Sequence, residues 1–268
     1  MEFYDFVFVV LVYRNPRDLA GFLASLAKVE GRCKVVVVNS FYDEDTMHEV
    51  EELCKVENCA FLNVKNRGYG AGNNAGIAYA REKYKFRYLV ISNPDIEILS
   101  LPASIFAQAN DPILIGPLVQ TESGKRQNPY MPAFSAFRER LMCRFAGHPR
   151  EWPFFYLAVA LNKAHRIFFN IFCGEKSRPV YALHGSFLLF SVKALERLEG
   201  PFDERMFLFR EEDHLAREAA KRKVTRLYCP AIRVLHHEDG SMRFLNGRER
   251  RYAIDSLCVY FDLKSQQD

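Results

Sequence analysis

Apolar and polar positions alternate in blocks along the first 119 residues. FVFVVLVY (6–13) is a continuous apolar run rich in β-branched residues, the pattern of a strand buried on both faces. Asn15-Pro16 ends it, and DLAGFLASLAK (18–28) then spaces its apolar residues as a helix does. KVVVVNS (34–40) predicts a second strand. The acidic stretch 43–52 opens a second helix, with its carboxylates at the end the helix dipole favours. AFLNV (60–64) is a third strand, and a Gly/Asn-rich loop leads from it into a helix over 75–84. RYLVISNPDIEI (87–98) and PILIGPLV (112–119) predict two more strands. Strand–helix alternation of this kind predicts an α/β fold, a mostly parallel sheet flanked by helices. Ligands of such sheets sit beyond the carboxyl ends of the strands. Polar clusters fall at those ends: Asn39-Ser40, Asn66 to Asn74, and Asn93-Pro94-Asp95.

The pattern changes after Gly124. Residues 125–178 interleave aromatic and basic side chains with few strand signals, and between 138 and 178 eight Lys/Arg face three Glu. A helical insertion is expected there. The α/β pattern returns with VYALHGSFLLFS (180–191), a helix over 192–198, the segment 202–223 and a strand over 224–237. No linker composition divides the chain. The expectation is one domain over 1–268 with a helical insertion at about 125–178.

Composition narrows the class. With 49% hydrophobic residues and scattered Gly and Pro (14 and 12), neither a disordered nor a collagen-like chain is in question. A net charge of +4 permits anionic substrates or an anionic membrane surface and makes no case for nucleic acid. Seven cysteines without a C-x-x-C point to free thiols in a reducing, cytoplasmic compartment. The apolar run 6–13 is short, and Asn162, Lys163, His165 and Arg166 interrupt 153–173, so that helix could lie on a membrane but not cross one. Nucleophile-elbow, P-loop and H-E-x-x-H signatures are absent.

Four clusters carry candidate chemistry. Gly70, Gly72 and Ala75 fit G-x-G-x-x-[GA], with Asp95 downstream, which keeps an NAD-type oxidoreductase open. Against it, the match follows the third strand and is crowded by asparagines and an arginine. Asp95, closing a strand in a rigid turn, is placed to hold a divalent cation. Glu211-Glu212-Asp213 precedes a basic helix end, a dipole pattern sufficient by itself, yet one of these carboxylates in a cleft would serve as general base. His236-His237 ends the last strand, His184 is a second candidate, and Gly185 lets a substrate approach the backbone.

In order along the chain, VFVVLVYRNPRDLAGFLASL, NRGYGAGNNAGIAYA, ISNPDIEI, and GSFLLFSVKALERLEGPFDERMFLFREEDHLAREAAKRK with VLHHEDGS resemble the family 2 glycosyltransferases of GT-A fold, the rhamnosyltransferase-like branch in particular. The resemblance spans most of 6–241 and implies a Rossmann-like mixed sheet, a UDP- or dTDP-sugar donor, Mn²⁺ or Mg²⁺, and inversion at the anomeric carbon. It implies a glycan or lipid-linked acceptor in surface polysaccharide assembly. Under it, Asp95 and His236 would hold the metal. Asn66, Gly68 and Asn74 would lie beside the nucleotide, joined in the donor set by Asn39, Asp43, Gly70, Asn93 and Gly185. Glu212 or Asp213, with Glu211 beside them, would supply the base. Two departures stand out. Val38-Asn39-Ser40 replaces the family's Asp-Asn-x-Ser, and Asn93 stands where many relatives carry an acid. They leave a catalytically inactive, glycan-binding GT-A domain as an alternative. The aromatic-basic insertion is either a contact with the inner face of a membrane or a plain helical lid.

Overall fold

The computed structural model describes residues 1–148, 150–238 and 248–263; Asp239 to Ser241 of the late histidine motif lie outside them. Strand β1 (Phe3–Val12) is buried along both faces. Alternate side chains feed two cores. Val7 and Val9 enter one with Val36, Val38, Leu89 and Ile91. Phe6, Phe8 and Val10 enter the other with Val37, Tyr88 and Val90. Fully burying each of these side chains stabilises by about 1.5–3 kcal/mol. A one-residue slip would exchange the two sets, so the register is strongly specified.

Helix α1 (Pro16–Ser25) leads to β2 (Cys33–Phe41), α2 (Glu44–Val56) to β3 (Ala60–Lys65), and α3 (Tyr69–Lys83) to β4 (Lys85–Ser92). These four strands pair in parallel, in the order β3-β2-β1-β4. The chain thus turns to opposite sides of β1, which opens a crevice at the strands' carboxyl ends. The sheet continues through β8 (Phe187–Ser191), β6 (Ile113–Thr121), β9 (Thr225–His236) and β5 (Ile96–Ser100), with the short β7 (Arg178–Pro179) beside β9. β8 runs antiparallel to both β4 and β6, and β5 antiparallel to β9, so the sheet is mixed. Helices α4 (Ala136–Gly147) and α5 (Trp152–Cys173) occupy the expected insertion. Helices α6 (Val192–Leu198), α7 (Glu211–Lys221) and α8 (Glu249–Tyr260) complete the chain.

Two elements differ from the sequence expectation. The stretch 87–98 is two strands on different parts of the sheet, because the Asn93–Asp95 turn carries the chain away to β9. Helix α3 begins at Tyr69, not 75, and absorbs the glycine-rich stretch. A Cβ on Gly72 would sit 2.5 Å from Leu11 Cδ1, and one on Gly76 2.3 Å from Val9 Cγ1, so these glycines let the helix lie close on the sheet. Residues 202–210 are irregular. Phe209 and Arg210 take left-handed φ values of 73° and 70° immediately before α7, a local strain of about 1–3 kcal/mol each.

Candidate active site

The carboxyl ends of β1 to β4 open into a cleft of about 1040 Å³. Tyr13 and Arg14 follow β1, Ser40 is the penultimate residue of β2, Asn66 and Gly68 follow β3, and Asn93 to Asp95 follow β4; all line the cleft. From the other side come His184, Phe207 to Arg210, Glu212 and His236.

Asp95 and His236 meet because β5 pairs with β9, which sets Ile96 opposite His236. The His237 amide donates to the Asp95 carbonyl at 3.0 Å and closes the corner. Both side chains are buried, and Asp95 Oδ1 lies 3.3 Å from His236 Nε2. The other ring nitrogen is fixed by a relay. Gln127 Nε2 donates to Glu238 Oε1 at 2.7 Å, which turns Gln127 Oε1 toward His236 Nδ1, also at 2.7 Å. An amide oxygen only accepts, so Nδ1 carries a proton and Nε2 is left facing the carboxylate. Asp95 Oδ1 has no hydrogen-bond donor. A carboxylate oxygen and a ring nitrogen so placed are two atoms able to share one cation. Adjacent oxygen or nitrogen ligands of an octahedral Mg²⁺- or Mn²⁺-type ion, about 2.1 Å from it, stand about 3 Å apart, close to the observed spacing. The pair fits a divalent cation, which Asp95 and His236 would hold with its remaining ligands supplied from outside the protein. No cluster of three or more His, Cys, Asp or Glu suited to a metal occurs among the described residues. The neighbouring His237 points away, pairing with Glu122 at 2.8 Å, as alternation along a strand demands.

The three consecutive acids also diverge, since helical neighbours point about 100° apart. Only Glu212 lines the cleft. Its Oε1 accepts from the Gly185 amide at 3.2 Å. Burial raises the Glu212 carboxyl above the ordinary carboxylate range, against the lowering effect of its backbone hydrogen bonds. Burial raises Glu211 as well, with Glu212 adding to it, and Glu211 Oε1 has no partner. Asp213 is a structural anchor. It accepts from Arg138 at 2.8 Å, from Arg210 at 3.1 Å and from the Tyr130 hydroxyl at 3.3 Å. Burial pushes its carboxyl up, but the Arg210 and Arg138 guanidiniums outweigh this and hold it below its ordinary value. Its contribution to stability is thus present above the ordinary pKa and is lost as the pH falls through the lowered one. Asp213→Ala leaves the buried Arg210 guanidinium without its counter-charge and Arg138 with Glu139 alone, at 2.7 Å, and is expected to destabilise the fold by about 3–5 kcal/mol, read as a lower urea midpoint.

Gly68 has φ +101°, and a Cβ there would lie 2.2 Å from the Phe207 carbonyl oxygen. The Tyr69 amide donates to that oxygen at 2.9 Å. The loop after β3 is thereby locked to the segment that carries the acids. The Tyr69 hydroxyl reaches the Gly185 carbonyl at 2.8 Å from the same loop. Four other candidates do not line the cleft. Asn39 donates to Asn63 Oδ1 at 2.8 Å within the sheet. Asp43 caps α2 by accepting from the Thr46 amide at 2.8 Å. Gly70 packs on Phe202, where a Cβ would lie 3.0 Å from Phe202 Cβ. Asn74 donates to the Phe202 carbonyl at 2.9 Å. Gly185 is absent from the lining as well, although it abuts Glu212. His184 lines the cleft, and burial pushes its imidazole down to about 3, so it stays neutral.

Several cleft residues escaped sequence reading. Gln127 stands 109 positions from the histidine it orients, and Arg248, Tyr252 and Ala253 come from or adjoin α8, where no motif points. Tyr252 stacks on Phe207 with centroids 4.6 Å apart. The arginine and tyrosine after β1 form a cationic-aromatic end of the cleft, with the Arg14 guanidinium 3.5 Å over the Tyr42 ring.

Comparison with known proteins agrees with this fold. The "Low-salt glycan biosynthesis hexosyltransferase Agl10" of Haloferax volcanii is 21% identical over 238 residues, covering 87% of this chain and 67% of that protein. Among solved structures, GalNAc-T7 with UDP, GalNAc and Mn²⁺ aligns with a TM-score of 0.59 at 13% identity, over 98% of this chain and 55% of that one. The mannosyltransferase PcManGT of Pyrobaculum calidifontis, in complex with GDP-Man and Mn²⁺, aligns with a TM-score of 0.55 at 16% identity, over 92% of this chain and 61% of that one. At these identities the solved structures speak for the fold, and the chain spans little more than half of each. Residues 7–166 match the model of glycosyl transferase family 2, and the chain belongs to that family, as a glycosyltransferase of GT-A fold.

Proposed function

We propose that this chain transfers one sugar from a UDP- or dTDP-sugar to a hydroxyl of a glycan or lipid-linked acceptor in surface polysaccharide assembly, inverting the anomeric centre. It would act in the cytoplasm, at the inner face of the membrane. The observation that carries the reading is that Glu212 and the Asp95–His236 pair open on one cleft whose far end holds Tyr13, Arg14 and Asn66. The far end receives the nucleoside, and Asp95 and His236 hold a divalent cation against the diphosphate. That cation supplies positive charge where the leaving group becomes negative. Glu212 accepts the proton of the acceptor hydroxyl as its oxygen attacks the anomeric carbon. Of the three-acid run it alone faces the cleft, which favours a single displacement and so inversion. The Gly185 amide keeps the Glu212 carboxylate turned toward the substrate. No helix among the described residues is long and apolar enough to cross a membrane.

The test is thermal unfolding with a panel of nucleotide sugars in the presence of Mn²⁺ or Mg²⁺. A UDP- or dTDP-sugar at about 100 times its Kd is expected to add about 2.7 kcal/mol to the stability of the folded chain. Stabilisation by NAD(H) in place of any nucleotide sugar would return the site to the dinucleotide reading. Stabilisation by glycans alone would mark an inactive binding domain.

A further inference from the structure

His184 lines the cleft but has no part in the transfer outlined above. Its ring is fixed at one nitrogen and open at the other. The Ser186 amide donates to Nδ1 at 3.2 Å, and the Ser186 hydroxyl lies 2.9 Å from the same atom. A backbone N–H only donates, so Nδ1 is an acceptor and carries no proton. The imidazole is therefore neutral and holds its proton on Nε2, because a protonated ring has no lone pair to offer. That Nε2–H meets no hydrogen-bond acceptor among the described residues. A fixed donor thus borders the cleft without a partner in the protein.

Buried neighbours hold the ring there. Asn128 Oδ1 accepts from the His184 amide at 2.7 Å, and Asn128 Nδ2 donates to the Pro117 carbonyl at 3.0 Å. Gly116 makes room for this side chain: a Cβ there would stand 2.9 Å from Asn128 Nδ2. The Asn93 amide donates to the Ser186 carbonyl at 2.9 Å, which ties the 184–186 turn to the turn that carries Asp95. Two contacts then locate the donor. The His184 and His236 rings meet at 66°, with centroids 5.9 Å apart. The next residue, Gly185, gives its amide to Glu212 at 3.2 Å. Hence His184 borders the space between the Asp95–His236 pair and Glu212. In the transfer outlined above the moving sugar passes through that space, since its anomeric carbon exchanges a bond to the diphosphate for one to the oxygen that Glu212 deprotonates. A sugar offers hydroxyl oxygens there, and a hydroxyl oxygen accepts from a neutral N–H.

We propose that His184 is a specificity-determining residue whose Nε2–H donates to one hydroxyl of the transferred sugar, so that the donor carries a free hydroxyl at that position and its deoxy counterpart is rejected. A site built around such a bond discriminates against the analogue that lacks the hydroxyl, because the protein's donor is then left unpaired. The assignment refines the donor class of the glycosyl-transfer reading and rests on it.

The experiment measures Kd by calorimetric titration with Mg²⁺ present. The ligands are UDP, dTDP, UDP-glucose, UDP-galactose, UDP-N-acetylglucosamine and dTDP-rhamnose, followed by the monodeoxy analogues of the sugar bound most tightly. The wild type is expected to bind one of those analogues about tenfold more weakly than the full sugar. A wild type that binds every analogue as tightly as the full sugar would overturn the proposal without any variant. His184→Asn keeps an oxygen for the Ser186 amide and has nothing at the place of Nε2. It is expected to bind the full sugar about tenfold more weakly and the sensitive analogue no more weakly than the wild type does. Its unfolding midpoint and its affinity for the bare nucleotide are expected to stay unchanged. His184→Gln sets an amide N–H near the place of Nε2 and is expected to recover most of the loss. Equal losses in His184→Asn for the full sugar and all its analogues, or a matching loss for the bare nucleotide, would overturn the proposal and leave sugar transfer standing. Binding of none of the six nucleotides would fail the glycosyl-transfer reading, and the proposal with it.

Discussion

Asp95→Ala is expected to lower kcat/KM for sugar transfer by about 10³-fold, about 4 kcal/mol of transition-state stabilisation. Asp95 is the one carboxylate paired with His236, and the buried Oδ1 has no hydrogen-bond donor of its own. Under the proposed function its negative charge would hold a cation at the diphosphate. Removing it strips the site of that charge where the leaving group develops its own. The same substitution removes an unsatisfied buried oxygen, while the His237 amide keeps its bond to the residue-95 backbone carbonyl. The unfolding midpoint is thus expected to stay level or rise as activity falls, the trade common at sites kept for function. Initial rates with a saturating metal series and a melting curve on the same preparation measure both. Wild-type turnover in the variant would remove Asp95 from the mechanism.

Glu212→Gln is expected to lower kcat by about 10²–10⁴-fold, the usual range for a lost general base. The amide keeps a carbonyl oxygen to accept from Gly185, so shape is retained and only proton acceptance goes. The pH profile adds a second reading. Burial raises the Glu212 carboxyl, so its base form builds up only above the ordinary carboxylate range. The acid limb of kcat/KM should lie above 4.5, the ordinary glutamate value, with activity rising as pH rises through it. That limb should vanish in Glu212→Gln. Glu211→Gln, one position away and outside the cleft lining, should change kcat by less than about tenfold and keep the limb. Loss of activity in Glu211→Gln with retention in Glu212→Gln would reverse the assignment.

Much of this protein is written locally. The two-faced apolar run of β1, the amphipathic spacing of α1 and the capped acidic start of α2 are properties of a few neighbouring residues, and hydrophobic period alone decides them. The polar groups at strand ends were legible for the same reason, and so was the helical character of the basic insertion. Asp95, His236 and the acid run could be named as candidates because their residue types limit their chemistry.

What the chain pattern could not decide was direction. One histidine of His236-His237 and one acid of the 211–213 run face the cleft, and neighbouring positions face elsewhere. Which one does so depends on the pairing of β5 with β9 and on the left-handed residues that set the start of α7. The glycines at 70 and 72 fit the G-x-G-x-x-[GA] spacing, yet they serve close packing of α3, because what they touch lies on Phe202 and Leu11. Gln127 and the histidine it orients come together only in three dimensions. Side-chain period is set by the backbone within a few residues, whereas the phase of that period against a cavity is set by partners a hundred residues away.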